Sequence, residues 1–472
     1  MSNPILTSNQ SSAVVATINE STTKNPWVYN ETNRLTVPHA MQILNIDRSS
    51  GTVGANKTFS FDVAKNGVCQ GMWLNMSFGQ LDMSDGATTS SSASIASGAT
   101  VVGGGTHDHS DASNEYDHTA TGAHSHTISG NVSLSSIGGT DTTTALGILD
   151  CIDNIRLTTS GRIIERLDKY QILARYSSMP AATREALSRA CYMGMDIPNN
   201  KNFSAQLFLP FYFTQSCERY GILTNFEEPH RVEVTLSDCK WIMKGAVFTT
   251  LEPKKDSDLS STRLLCHYRQ LDEPQMNEIV SKNYGDGLLS RVVQISKTEA
   301  VKELKSGSAV STSERHSAGQ TIELKENEAV RAMYVILVDR AAPTSVAACK
   351  TKRVPKEIAH FRLTFNNTTV MDVPGSFVQT FGRWSLDGRN GDGSPVAYGV
   401  AGMHHVYKID FGLDHGTELT NVVAFRELSN PKLTVWPVGS ASETDELHVI
   451  YETATFLSCS SSTGRVQLSI SS

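Results

Sequence analysis

The sequence predicts an all-β fold built from two tandem β-sandwiches, and three observations carry that reading. Short runs in which apolar and polar residues alternate, the period of a half-buried strand, recur along the chain, while helix-period segments are few and short. Long Ser/Thr/Gly-rich connections separate these runs. One strand–loop–strand arrangement near the middle of the chain returns about two hundred residues later.

The elements follow in order. Residues 1–25 read as an extended polar arm, and Met1–Lys24 lacks the apolar core of a secretory signal. Phe59, Phe61 and Val63 alternate with Ser60 and Asp62, and Asn66-Gly67 predicts a two-residue hairpin. Met72, Leu74, Met76 and Phe78 then form the inner face of the returning strand. From Gly79 to Thr144 the composition turns to Ser, Thr, Gly and Ala, which cannot bury a core alone, so this stretch reads as an insertion. Ile155 and Leu157 resume the strand pattern, Ser160-Gly161 marks a turn, and Pro180–Ala190 reads as a helix stopped by Gly194.

Gln206–Phe213 contains an unbroken apolar run, Leu207–Phe213, that reads as one strand buried on both faces. Pro210 would place it at a sheet edge or bulge. Val232, Val234 and Leu236 alternate with Arg231, Glu233 and Thr235 in the next strand. The later copy is Tyr407–Leu413 followed by Phe425-Arg-Glu-Leu-Ser-Asn-Pro-Lys-Leu-Thr-Val435, which matches Phe226-Glu-Glu-Pro-His-Arg-Val-Glu-Val234 with a two-residue slip. Between the copies, Leu264–Asp272 is strand-like and opens the second half, and Pro274–Val280 is helical. Arg291–Ile295, Gln320–Leu324, Ala332–Val338, His360–Phe365, Leu447–Phe456 and Arg465–Ile470 are further strands.

The expected organisation is two tandem eight-stranded jelly rolls, a double jelly roll with a few short helices. Residues 1–25 form the arm, 26–242 the first jelly roll with the 79–144 insertion, 243–257 a linker and 258–472 the second jelly roll. A chain of 472 residues with 39% hydrophobic and 19% charged residues is globular and long enough for two cores. Its net charge of −7 argues against direct nucleic-acid binding. The eight cysteines lack a CxxC pair and read as reduced, mostly buried side chains in a protein made in a reducing compartment.

These residues resemble, motif by motif, the double jelly-roll major capsid proteins of nucleocytoplasmic large DNA viruses and their smaller relatives. Ala64-Lys-Asn-Gly-Val68 with Met72-Trp-Leu-Asn-Met76 is similar to that family's Arg-Asn-Gly-Asp hairpin. Ser160-Gly-Arg-Ile-Ile-Glu165 stands where the family has Gly-Gly-Gln-x-Ile-Asp, with Ser, Arg and Glu as substitutes. Leu209-Pro-Phe-Tyr-Phe213 resembles its Leu-Pro-Phe-Trp-Phe, and Pro229–Val234 its following strand. Tyr268-Arg-Gln-Leu-Asp272 is similar to the Tyr-x-x-Leu-Asp that opens the second jelly roll, and Val406–Leu413 to the penultimate strand region. The likeness runs from about Asn30 to Ile470, outside the insertion and the Ala341–Lys356 loop. It implies a structural, non-enzymatic protein of the virion, synthesised and assembled in the host cell interior, that forms trimeric, pseudo-hexagonal capsomers in an icosahedral shell of a double-stranded DNA virus. The partners it implies are further copies of the chain, minor capsid or penton proteins, an internal membrane and, through the insertion as an exterior tower, a host receptor.

Candidate chemistry is confined to the insertion. His107-Asp-His109 and His124-Ser-His126 each place two imidazoles on one side of an extended chain, because residues i and i+2 share a face. Gly122–Asn131 resembles the His-x-His repeats of trimeric fibres, where three chains meet at an axial ion. On a trimer axis His107, His109, His124 and His126 would offer six-nitrogen sites for a transition metal such as iron or nickel. The other reading is a polar surface loop. A cupin-type metal enzyme would need an apolar strand and a glutamate nearer than Glu115, and no HExxH, GxSxG or phosphate-binding glycine loop appears. A trimeric receptor-binding fibre or spike is the alternative function, although the chain has no repetitive shaft. Lys350–Lys356 is a basic loop, solvated or facing anionic lipid or a minor protein. Phe208, Phe211, Phe213, Phe377 and Trp384 are expected in the core, and His404-His405 as packing residues.

Overall fold

The computed structural model describes residues 40–54, 56–78, 140–143, 145–198, 203–214, 221–237, 243–244, 261–270, 274, 288–303, 319–325, 329–341, 353–380, 403, 405–411, 422–438, 444–460 and 465–469. The chain divides into two units, Met1–Asp82 with Gly139–Ser472, and Met83–Gly138. All described residues belong to the former.

Eight long strands build the first half: β1 (Ala40–Ile46), β2 (Thr58–Asp62), β3 (Val68–Phe78), β4 (Ile152–Thr159), β5 (Arg162–Asp168), β6 (Phe203–Phe208), β7 (His230–Leu236) and β8 (Arg263–Gln270). They pair antiparallel in two sheets, ordered β1-β8-β3-β6 and β2-β7-β4-β5. The alternating residues decide which face turns inward. Met72, Leu74 and Met76 from β3 and Leu264, Cys266 and Tyr268 from β8 face Phe59, Phe61, Ile155, Leu157, Val232 and Val234 of the other sheet, and all are almost fully buried. Each such side chain contributes about 1.5–3 kcal/mol by leaving water.

The second half consists of β9 (Leu288–Glu303), β10 (Gln320–Glu323), β11 (Ala329–Asp339), β12 (Ile358–Phe365), β13 (Thr368–Pro374), β14 (Val406–Asp410), β15 (Lys432–Pro437) and β16 (Asp445–Ser460). Its sheets run β9-β16-β11-β14 and β10-β15-β12-β13, the orders of the first half with eight added to every number. Val330, Met333, Val335, Phe361, Leu363, Tyr407, Val435, Val449 and Tyr451 close its core. The expected fold of two tandem eight-stranded jelly rolls is therefore present, and the copies recognised in sequence hold corresponding places. Leu207 and Phe208 lie on β6 and Tyr407–Asp410 on β14; Val232–Leu236 lies on β7 and Leu433–Val435 on β15.

Corresponding turns use corresponding chemistry. Between β4 and β5, Ser160 and Gly161 have φ of 46° and 80°; between β12 and β13, Asn366 and Asn367 have φ of 50° and 60°. Two successive residues at positive φ match the twist of a two-residue hairpin. Each hairpin's second strand then runs straight into helix: β5 into α1 (Lys169–Ser177) and β13 into a turn of helix at 375–380. The helix read at Pro180–Ala190 is α2 (Ala181–Ala190), with Pro180 at its N-cap.

Three expectations are corrected. The run Leu207–Phe213 is not one strand: β6 stops at Phe208, and Leu209–Thr214 folds into tight turns, with Phe211 N donating to Leu209 O at 2.9 Å and Thr214 N to Phe211 O at 2.9 Å. Pro210 has no N–H for a ladder, and the segment's apolarity reflects burial, not strand. Asn66-Gly67 does not make a hairpin, because β2 and β3 lie in opposite sheets. Gly67, at φ 94°, instead lets the crossing chain pass against the Arg269 backbone where a Cβ would collide. Finally, β8 belongs to the first jelly roll. It lies between β1 and β3, pairing Ala40–Ile46 on one side and Val68–Asn75 on the other, so the expected linker at 243–257 lies inside the first half and the passage to the second falls between 270 and 288.

The described ends of the insertion are also informative. It leaves β3 after Phe78, and Thr140–Thr143, expected within it, is a strand pairing Asp196–Pro198 and Met243–Lys244. In chain order the insertion thus falls between β3 of one sheet and β4 of the other.

Candidate functional site

The most developed polar arrangement lies on the seam between the two jelly rolls, and α1 builds it. Asp168 caps α1, accepting from Tyr170 N and Gln171 N at 2.8 Å each, while Gln171 accepts from Asp168 N at 2.8 Å. Tyr170 to Ser177 are all buried, which a surface helix would not be. The Tyr170 ring lies 4.3 Å from the His448 ring of β16, and the Ser178 hydroxyl lies 2.6 Å from the Tyr334 hydroxyl of β11. Tyr334 also donates to Glu452 at 3.3 Å.

Strand alternation explains why these residues meet α1. Val335, Leu337, Val449 and Tyr451 fill the second core, so Tyr334, Ile336, Val338, His448 and Ile450 emerge on the opposite face of the sheet. That face is buried as well: Ile336, Val338 and Ile450 are at 0% exposure.

Charge closes the seam. Asp150 of the first half, at 1% exposure, meets Lys169 at 3.2 Å and Arg353 of the second half at 3.3 Å. Within the second half, Lys356 meets Asp445 at 2.6 Å and Lys408 meets Asp410 at 2.8 Å. Burial pushes the Tyr334 hydroxyl well up, with Glu452 adding to the effect, so it stays neutral. Burial, opposed by Asp168 and aided by Lys169, lowers His448 to about 4, so its imidazole is neutral near pH 7.

A second buried pair holds the turn after β6. Glu165 of β5 and Arg175 of α1 meet at 2.8 Å with almost no exposure. Glu165 accepts from Tyr212 N at 2.8 Å, Arg175 donates to Pro210 O, and Tyr176 donates to Phe208 O at 2.5 Å. The stretches Ser160–Glu165 and Leu209–Phe213, which carried part of the family resemblance, are thus mechanically joined.

His107, His109, His124 and His126 lie outside the described residues, as does the expectation of iron or nickel. Among the described residues, no group of three or more His, Cys, Asp or Glu side chains could hold a metal ion. No described helix is long and apolar enough to cross a membrane. Of the basic loop, Arg353 and Lys356 face carboxylates of the protein itself; Lys350 and Lys352 lie outside the described residues. Cys69, Cys151, Cys191, Cys266 and Cys459 are buried free thiols, and burial raises Cys69 and Cys191 above the ordinary range. Phe208, Phe211 and Phe213 are core residues, but Phe377 is 51% exposed, and Trp384 is outside the described residues. His405 lies 3.5 Å from the Tyr407 hydroxyl. The seam itself escaped sequence reading; its one signal is Arg175 within the apolar run Ile172–Tyr176.

No family model matches the chain, and no curated protein matches it. Solved structures do. The PBCV-1 virus capsid matches with a TM-score of 0.63 at 11% identity, over 94% of this chain and 99% of that one. The Faustovirus major capsid protein matches with a TM-score of 0.59 at 9% identity, over 91% of this chain and 92% of that one. The chain therefore has the double jelly-roll fold of these viral major capsid proteins, along its length and theirs.

Proposed function

We propose that the protein is a structural major capsid protein, without catalysis, that assembles as trimeric, pseudo-hexagonal capsomers into the icosahedral shell of a double-stranded DNA virus. The observation that carries this is the repeat: two jelly rolls of one topology locked side by side by a polar and apolar seam. Such a subunit is a pseudo-dimer, and three in a ring give a six-sided block that tiles a curved hexagonal lattice. The fold match to viral capsid proteins over 99% and 92% of their chains supports the same reading. No observation favours the fibre or spike alternative.

Within this reading the insertion, entering from β3 and leaving before β4, is an exterior tower. Minor capsid proteins, an internal membrane and a receptor are partners it accommodates. The His pairs are proposed as metal ligands on the threefold axis of that tower. Elemental analysis of purified protein beside H124A/H126A tests them, and equal, near-zero metal in both sinks the idea.

Electron microscopy and light scattering on the purified chain test the function. A trimer that forms hexagonal arrays is expected. A monomer at micromolar concentration, or an elongated fibre, would overturn it.

A further inference from the structure

The two jelly rolls treat one surface in opposite ways. In the second, the outward side chains of β16 and β11 are buried, with α1, which follows β5 of the first, against His448 and Tyr334. In the first, the corresponding outward face of β1-β8-β3-β6 is open among the described residues. Met41 is 68% and Ile43 67% exposed there. Beside them stand Leu265 and His267 of β8, half-buried, and Trp73 of β3, whose ring crosses Gly71 and lies 5.4 Å from the Phe208 ring. Such a face, on which two large apolar side chains stand exposed beside an aromatic one, is a contact surface.

The second jelly roll carries the element that would cover it by repetition. α1 follows β5 without a break, and helix 375–380 follows β13 without a break. α1 is buried in the seam, whereas helix 375–380 presents Phe377, half of its surface open. The chain thus makes one of two equivalent contacts within itself, while Phe377 on the equivalent helix and Met41 and Ile43 on the equivalent face stand more than half exposed.

We propose that the second contact forms between copies: helix 375–380 of one subunit, with Phe377, docks on the Met41, Ile43 and Trp73 face of the next. This rests on the capsomer reading and specifies its contact. The junction is head-to-tail, so each copy uses one helix and one face. If it repeats the internal rotation, six jelly rolls from three copies close the ring.

The test uses Ile43→Glu and Phe377→Glu in the full chain, with circular dichroism and thermal melting to confirm folding and Met41→Lys as a second variant of the face. Sedimentation should show trimeric wild type, with each variant dissociating at least tenfold more readily. Mixing I43E with F377E should restore one sound junction, between the helix of the former and the face of the latter, and give heterodimers that grow no further. Trimers unaffected by either variant, or mixtures without heterodimer, would overturn the inference while leaving the capsomer reading intact. Loss of trimer in I43E but not F377E would also overturn it, since the face would then be covered by another segment, such as the N-terminal arm. A monomeric wild type would instead remove the capsomer reading itself.

Discussion

Arg175 stands in an apolar stretch of α1 and meets the carboxylate of Glu165 out of contact with water. Removing one partner of such a pair leaves an uncompensated buried charge, which costs more than the pair contributes. Arg175→Met is therefore expected to lower stability by about 3–5 kcal/mol in chemical denaturation. The double variant R175M/E165Q should recover a large part of that loss, and no recovery would show that the two residues act independently. His448 gives a different signature. Its folded value of about 4 lies below the unfolded 6.5, so as pH falls the unfolded chain takes up the proton first. The neutral imidazole's contribution is complete above pH 6.5 and is lost as pH falls through 4, with about 2–3 kcal/mol gone by pH 4.5. Asp168 and Lys169 on α1, Tyr170 against the ring and Glu446, 3.4 Å from it, are the groups it faces. His448→Phe keeps a ring against Tyr170 and should flatten the acid limb of the stability–pH curve by that amount; equal slopes would remove His448 as its cause.

Elements were legible where one face is wet. Val232, Val234 and Leu236 announce β7 because their neighbours Arg231, Glu233 and Thr235 reach solvent, and β8 alternates in the same way. Where both faces are covered, alternation vanishes. Leu207–Phe213 is apolar because Glu165, Arg175 and Tyr176 bury it, and nothing in the sequence separates its strand from its turns. β13 went unread for the converse reason: with an exposed face at Thr368–Val370, it carries little pattern, and Asn366-Asn367 is a turn signal only once φ is known. Phe377 reads as a core aromatic in the sequence, and only its surroundings reveal it as surface. The seam's partners come from distant parts of the chain, so no local window contains them. α1 depends on its cap as well as its burial: Asp168→Ala removes the acceptor for two backbone N–H groups and should cost about 1 kcal/mol. Because α1 forms the seam, that loss should also appear as faster amide exchange at Tyr170–Arg175, with strands β10 and β12 unaffected.

At the scale of the whole molecule, the repeat fixes where one jelly roll ends. β8 is an interior strand of its sheet: β1 pairs with it along Ala40–Ile46, and β3 pairs with it along Val68–Asn75. The stretch at 243–257 reads as a boundary between halves, but it precedes β8, the last strand of the first sandwich. A fragment ending at residue 242 lacks β8. Its β1 then has no described partner, its β3 presents one long unpaired edge, and Leu264, Cys266 and Tyr268 leave a gap against Met72 and Leu74. A fragment ending at residue 274 keeps all eight strands of the first half and loses only the covering of α1 by the second. The shorter fragment is expected to show no cooperative thermal transition and to aggregate through its open edge, while the longer one melts cooperatively at a temperature below that of the full chain. Circular dichroism with sedimentation on both fragments decides it, and equal behaviour of the two would show that the first sandwich closes without β8.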